Sequence, residues 1–318
     1  MRPLKNILFL LILIPFLISI SACSKNPYYK RNEFALGTVI QITCSDQRAI
    51  DIAFNEIKRV ENLLSKYVSD SEVSKLNTSG KLKVGPDLLY VLTKAKEFYI
   101  TSNGAFDVTV GPLVDIWKKA IKNKVLPQEE DIKKAMQLVG FDKVVIDEKE
   151  STVAFLKEGM SIDLGAIGKG YAVDCAIKKV RDYGTKSCLI AIAGDIYCLG
   201  NKNGEPWQIG IQHPRNKKDL LDALNLENQA VSTSGDYQQM VIIGNKRYSH
   251  IIDPRTGFPS DSKVISATVL APDCLSADAL ATTIFVLGKT KGMDLVKYYK
   301  NTKALIYTED EVNAFDTF

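Results

Sequence analysis

The chain has 318 residues, 46% of them hydrophobic and 25% charged, which is the composition of a folded globular protein with a sizeable core. Lysine and arginine outnumber aspartate and glutamate by only 41 to 37, and no clustered basic stripe runs along the sequence. That balance gives no reason to invoke nucleic acid as a partner.

The chain opens on a targeting signal. Arg2 and Lys5 precede an apolar run from Ile7 to Ile18, and Ser19-Ile20-Ser21-Ala22-Cys23 follows. A charged start, an apolar stretch and small residues at a cleavage point make a secretory leader. The run is short for a bilayer and contains Pro15, which counts against a transmembrane anchor. Small residues directly before a cysteine resemble the bacterial lipobox, which implies removal of residues 1–22 and a lipidated Cys23. Residues 23–33 then read as the lipidated cysteine and a polar tether, and residues 34–318 as one catalytic unit. The expected location is extracytoplasmic, on the cell membrane, and on its periplasmic face in a Gram-negative host. Of the other cysteines, Cys44, Cys175, Cys188, Cys198 and Cys274, none makes a CxxC pair and several sit in apolar stretches. Buried free thiols are the expectation, with a Cys188–Cys198 bridge as the alternative.

Past the tether, Phe34 to Cys44 alternates apolar and polar residues and is predicted to be a strand. Ile50 to Leu64 and Leu88 to Tyr99 carry apolar residues at helical spacing, and Gln128 to Leu138 reads as a short helix after Pro127. Short strands are predicted at Lys143–Ile146 and Thr152–Phe155, and a helix from Ala166 to Tyr183. Strands at Ser187–Ala193 and Asp195–Leu199 meet at a Gly-Asp turn. Several strand candidates fill Trp207 to Ser249, and Lys263–Ala271 is a further strand. Helices at Cys274–Leu287 and Lys291–Tyr299 and a strand at Ala304–Tyr307 complete the pattern. Helices and strands intermingle without regular βαβ repetition or a repeat of fixed period, which points to an α+β (irregular α/β) fold of two lobes, with mixed sheets and packed helices.

Four segments carry candidate chemistry. Asp278 and Thr282 are four residues apart in a strongly helical stretch, so both oxygens leave one face. A carboxylate and a hydroxyl suit a hard cation such as Mg²⁺, although Asp near a helix start is more often solvated or facing the helix dipole. Asp163-Leu164-Gly165-Ala166-Ile167-Gly168-Lys169-Gly170 sets three glycines at a strand-to-helix junction, without the spacing of a Walker loop or of GxGxxG. Its backbone suits phosphate, and a tight structural turn accounts for it equally well. The two histidines are His213, read as structural, and His250, which precedes the turn Asp253-Pro254-Arg255-Thr256-Gly257. His250 is a candidate general base, with a hydrogen-bonded structural role as the stronger reading from the residues alone. Ser232-Thr233-Ser234-Gly235-Asp236-Tyr237 is no GxSxG elbow and reads as a hydroxyl-rich turn that binds ligand or caps a helix.

Taken in order, these segments resemble the FAD:protein FMN transferase (ApbE) family. The likeness rests on Leu36-Gly37-Thr38, Ser65-Lys66-Tyr67 with Asp70-Ser71-Glu72, Gly104 to Leu113, Asp163 to Asp174, Thr233 to Tyr237, His250 to Gly257, and Ala277 to Thr282. It covers nearly the whole chain after the leader. The resemblance implies that Leu36, Tyr67, Ala105, Phe106, Asp107, Asp163, Lys169 and Ile252 line an FAD site. It further implies that the Ala166 carbonyl joins Asp278 and Thr282 around Mg²⁺. The sequence departs from the family pattern at Leu36, commonly methionine, at Lys169, acidic in some members, and at Ala281, where some members carry a second carboxylate.

The implied reaction is Mg²⁺-dependent transfer of FMN from FAD to a Ser or Thr hydroxyl of an acceptor protein, such as a flavin-bearing subunit of a membrane redox complex, with release of AMP. His250 is the candidate proton acceptor, and Asp253 the candidate to orient it. Two other readings stay open: an Mg²⁺-dependent FAD pyrophosphatase releasing FMN and AMP, and a lipoprotein that binds FAD without turnover.

Overall fold

The computed structural model describes residues 27–216, 218–236, 240–243, 246–308 and 312–313. The leader and Cys23 lie outside the described residues, as does Tyr237.

The described chain begins with a hairpin, β1 (Tyr29–Ala35) and β2 (Thr38–Cys44), whose turn holds Leu36 at a φ of 53° and Gly37 at 71°. One strand was expected over Phe34–Cys44, but this left-handed pair folds it back, and β1 takes in residues read as tether. Next come α1 (Gln47–Leu64), capped by the Asp46 side chain on Arg48 N–H, and α2 (Glu72–Ser79), capped by Ser71 and stopped by Gly80. β3 (Lys81–Lys83) and α3 (Pro86–Thr101) follow, then α4 (Gly111–Asn123) and α5 (Glu129–Met136). β4 (Val144–Asp147) and β5 (Thr152–Phe155) come next, and β5 pairs with both β3 and β4 in a small sheet. α6 (Gly168–Asp182) leads into β6 (Cys188–Ile192) and β7 (Asp195–Leu199).

The region from 207 to 249 resolves into β8 (Trp207–Gln212), β9 (Leu220–Leu226), β10 (Gln229–Gly235), β11 (Met240–Ile243) and β12 (Lys246–Ser249). The chain closes with β13 (Ile252–Asp253), β14 (Phe258–Pro259), β15 (Val264–Ala271), α7 (Cys274–Leu287), α8 (Lys289–Val296), β16 (Lys303–Thr308) and β17 (Val312–Asn313).

The centre is an eight-stranded sheet in the order β1-β2-β6-β7-β10-β15-β16-β17, antiparallel at every junction. The helices α1, α6 and α7 pack together on one of its faces and bury the main core, in which Ile40, Ile42, Ala176, Ala267 and Leu280 are fully enclosed. The β8–β9 hairpin covers part of the other face, where alternate β8 residues Trp207, Ile209 and Ile211 are buried and the first two pack against Leu189, Cys198 and Val231. A smaller core forms around Trp117 of α4, with Leu113, Ile132, Ala135 and Ile252.

Cys44 and Cys188 sit opposite each other on β2 and β6 and are joined in a disulfide. Free thiols were expected at both. The pairing is invisible locally because the two residues are 144 apart and meet only through sheet register. Cys198, the alternative partner of Cys188, stays a buried thiol, as does Cys274, and Cys175 is a half-buried one.

Candidate active site

α7 is apolar and buried nearly all round, so a carboxylate within it stands out: the Asp278 side chain is only 4% exposed. Asp278 Oδ2 accepts the backbone N–H of Gly170 at 3.2 Å and faces Lys169 Nζ at 3.4 Å, both from the first turn of α6. α6 can come this close because Gly170 has no side chain; a Cβ there would lie 2.3 Å from the Cys274 carbonyl oxygen. The N–H that the sequence suggested for phosphate is thus committed to Asp278. Behind it, Asp174 accepts the N–H groups of Cys274 and Leu275 at 2.8 Å and pins the start of α7. Burial pushes Asp174 up to about 7, against the lowering effect of those two bonds.

One turn along α7, Thr282 Oγ1 lies 3.1 Å from Ser234 Oγ of β10. Two residues earlier on the same strand face, Ser232 donates to Asp195 Oδ1 at 2.5 Å. Asp195, the first residue of β7, is 3% exposed on its side chain and has Lys169 Nζ at 3.4 Å from its Oδ2. Burial lowers the tendency of Lys169 to hold its proton, but Asp278 and Asp195 outweigh that and raise it. Burial, and then the nearby Asp195 charge, raise Asp278, with Lys169 opposing.

Lys169 Nζ also donates to the Gly165 carbonyl at 2.7 Å, next to Ala166, on the loop that begins at Asp163. Around Lys169 Nζ the pocket therefore gathers two buried carboxylates and the Gly165 carbonyl, with the Thr282–Ser234 hydroxyl pair one turn along α7, and these oxygens suit a hard cation. Among the described residues no group of three or more His, Cys, Asp and Glu side chains gathers.

The same loop reaches the residues expected to face flavin. Asp163 donates its N–H to the Val108 carbonyl at 2.8 Å, takes the Gly165 N–H on Oδ1 at 2.8 Å, and pairs through Oδ2 with Lys66 Nζ at 3.2 Å. Lys66 also bonds Asp115 at 2.7 Å. The neighbouring Tyr67 is 70% exposed, with Lys118 Nζ 4.5 Å from its ring centroid. Leu36 donates its N–H to Glu61 near the end of α1, which brings the β1–β2 turn to the segment carrying Tyr67.

Other expected flavin residues turn inward. Ala105 and Phe106 are buried, and Phe106 packs edge-on against Phe98. Asp107 accepts from Thr109 N–H and Oγ1 and from Phe141 N–H, and burial pushes it up to about 6. Its side chain therefore ties a loop together. Ile252 is buried in the Trp117 core. Asp253 is held by Arg255, with Oδ1 facing Nε at 2.9 Å and Oδ2 facing Nη2 at 2.7 Å. Trp117 Nε1 donates to the Gly257 carbonyl at 2.8 Å, so the turn after His250 is fastened to α4. His250 is half-buried immediately before it. His213 accepts the N–H groups of Arg215 and Asn216 on Nδ1, the structural role expected. Ser232 and Ser234 were read from the sequence as part of a hydroxyl-rich turn, whereas they lie within the strand β10, whose register brings them to Asp195 and Thr282; Asp195 was not singled out as a site residue.

The ApbE family profile matches residues 36–306. The chain belongs to the ApbE family. It is 29% identical to the FAD:protein FMN transferase of Haemophilus influenzae over 99% of this chain and 96% of that one. With the FAD:protein FMN transferase of Treponema pallidum the identity is 30%, over 94% and 91%. The crystal structure of the ApbE protein of Thermotoga maritima superimposes with a TM-score of 0.85 at 32% identity, covering 92% of this chain and 98% of that chain. The flavin transferase ApbE of Vibrio cholerae does so with a TM-score of 0.80 at 28% identity, covering 91% and 96%.

Proposed function

We propose that the protein transfers FMN from FAD to a Ser or Thr hydroxyl of an acceptor protein and releases AMP, with Mg²⁺ held by Asp278, Thr282 and the Ala166 carbonyl. The observation that carries this reading is the continuous loop from Asp163 to Lys169, which ends beside Asp278 and begins beside Lys66, Tyr67 and the 105–108 segment. A substrate with a flavin at one end and a pyrophosphate at the other matches a site so arranged. When bound, the metal would neutralise charge on the phosphoryl oxygens.

The acceptor oxygen attacks the phosphorus on the FMN side. One phosphorus–oxygen bond forms, the pyrophosphate bond to AMP breaks, and AMP leaves with the bridging oxygen. The hydroxyl proton passes to His250, the candidate base on the turn anchored by Trp117. Asp253 keeps that turn in shape through Arg255 and so holds His250 in position. Tyr67 offers an exposed ring to the flavin, and Asp163 fixes the loop by accepting Gly165 N–H.

The leader pattern supports a lipid anchor at Cys23 and an extracytoplasmic location, and the Cys44–Cys188 disulfide fits an oxidising compartment. The acceptor is then a membrane redox subunit carrying a Ser/Thr-Gly-Ala-Thr-like segment.

Product analysis tests the reaction class. Residues 24–318, FAD, Mg²⁺ and such an acceptor domain should yield acceptor heavier by FMN. Free FMN and AMP with unmodified acceptor would make the protein a pyrophosphatase, and intact FAD a binding protein.

A further inference from the structure

Lys169 and Asp195 form a feature that the reaction above does not explain. Asp195 Oδ1 has its donor in Ser232, whereas Oδ2 is buried without a hydrogen-bond partner among the described residues and faces Lys169 Nζ at 3.4 Å. The same ammonium lies 3.4 Å from Asp278 Oδ2 and donates to the Gly165 carbonyl. Two buried carboxylates around one ammonium leave the pocket short of positive charge, and a buried carboxylate oxygen without a donor is costly. A pocket of this kind is completed by a stronger cation than the one it holds.

We propose that Asp195 is the second carboxylate of the divalent-cation site and that Lys169 is the site's built-in monovalent occupant, displaced when the metal enters. The inference rests on the Mg²⁺ reading above. Ammonium and metal repel, so they cannot share Asp278 Oδ2 at close range. Lys169 thereby keeps the carboxylates compensated in the metal-free protein and weakens metal affinity by competition. Its four-carbon stem lets the head group leave the pocket while the backbone of α6 stays packed on α7.

Metal binding and metal-free stability test this without reference to turnover. Mn²⁺ binding to the mature protein is followed by electron paramagnetic resonance, Mg²⁺ binding by calorimetry, and melting in EDTA by fluorescence. Asp195→Asn should weaken Mn²⁺ binding about tenfold or more. Lys169→Met should bind Mn²⁺ about tenfold more tightly, melt below the wild type in EDTA, and recover on adding Mg²⁺. Because Asp195→Asn leaves one ammonium facing one carboxylate, its affinity alone decides the claim if Lys169→Met does not accumulate. Unchanged affinity in Asp195→Asn, or no tightening in a folded Lys169→Met, would overturn the proposal. A folded wild type that binds neither Mn²⁺ nor Mg²⁺ would instead bring down the metal reading itself, and this inference with it.

Discussion

Asp278 occupies a place that packing alone would give to an apolar residue. Its neighbours on α7, Ala277, Ala279, Leu280 and Ala281, are fully buried, so its charge is held there at a cost. Such a cost is the mark of a functional group, and it separates the two roles of the residue. Asp278→Asn should abolish flavin transfer while melting, in EDTA, no lower than the wild type, because it relieves repulsion with Asp195. A large fall in melting temperature would show the carboxylate to be structural instead. Asp107 offers a contrast, since its carboxylate is buried by its loop and raised to about 6. A raised carboxylate contributes stability below its unfolded value near 4, and that contribution is lost as pH climbs through about 6. The stability of the wild type relative to Asp107→Asn should thus fall by about 2 to 3 kcal/mol between pH 4 and 7. Urea titrations at each pH measure it, and parallel pH profiles for the two proteins would contradict the assignment.

At the scale of elements, the site depends on how closely α6 approaches α7. Gly170→Ala would put a methyl group against the Cys274 carbonyl and the Leu275 backbone, neither of which can rotate away. The helices should part, at a cost of about 1 to 3 kcal/mol or more, and Asp278 should lose its Gly170 N–H partner. Chemical denaturation together with metal titration checks both effects; a variant of wild-type stability and metal affinity would show that the approach is not tight. The α7 boundaries, Cys274 to Leu287, were legible because an apolar run lies between the Asp273 cap and Gly288. β7 was equally legible as a strand, but its Asp195 was not legible as a site residue. A lone aspartate after a Gly carries no local signal; it meets Ser232 only through the β7–β10 register. α2 was passed over because eight residues with few apolar positions give little periodicity, and its ends are set instead by Ser71 and Gly80.

For the whole molecule, the central sheet is tied by the Cys44–Cys188 bridge between strands 144 residues apart. Chain-entropy arguments put such a bond at about 4 to 5 kcal/mol. Replacing both cysteines by alanine should lower stability toward that extent, measured by denaturant unfolding under non-reducing conditions. An unchanged midpoint would mean that the sheet does not need the bond. The α+β character and elements such as α1, α3, α6, β15 and α7 followed from periodicity, whereas the β1–β2 hairpin, the sheet order and the disulfide depended on local backbone geometry or on contacts far apart in sequence. The pocket divides in the same way: Asp278, Thr282 and the 163–170 loop stood out as motifs, while their partners come from β7 and β10. Whether the assembled pocket drives flavin transfer is read from the intact mass of the acceptor after incubation with FAD and Mg²⁺, for the wild type and for Asp278→Ala. The wild type should yield acceptor carrying FMN and the variant unmodified acceptor; equal modification by both proteins would contradict a role for the pocket in transfer.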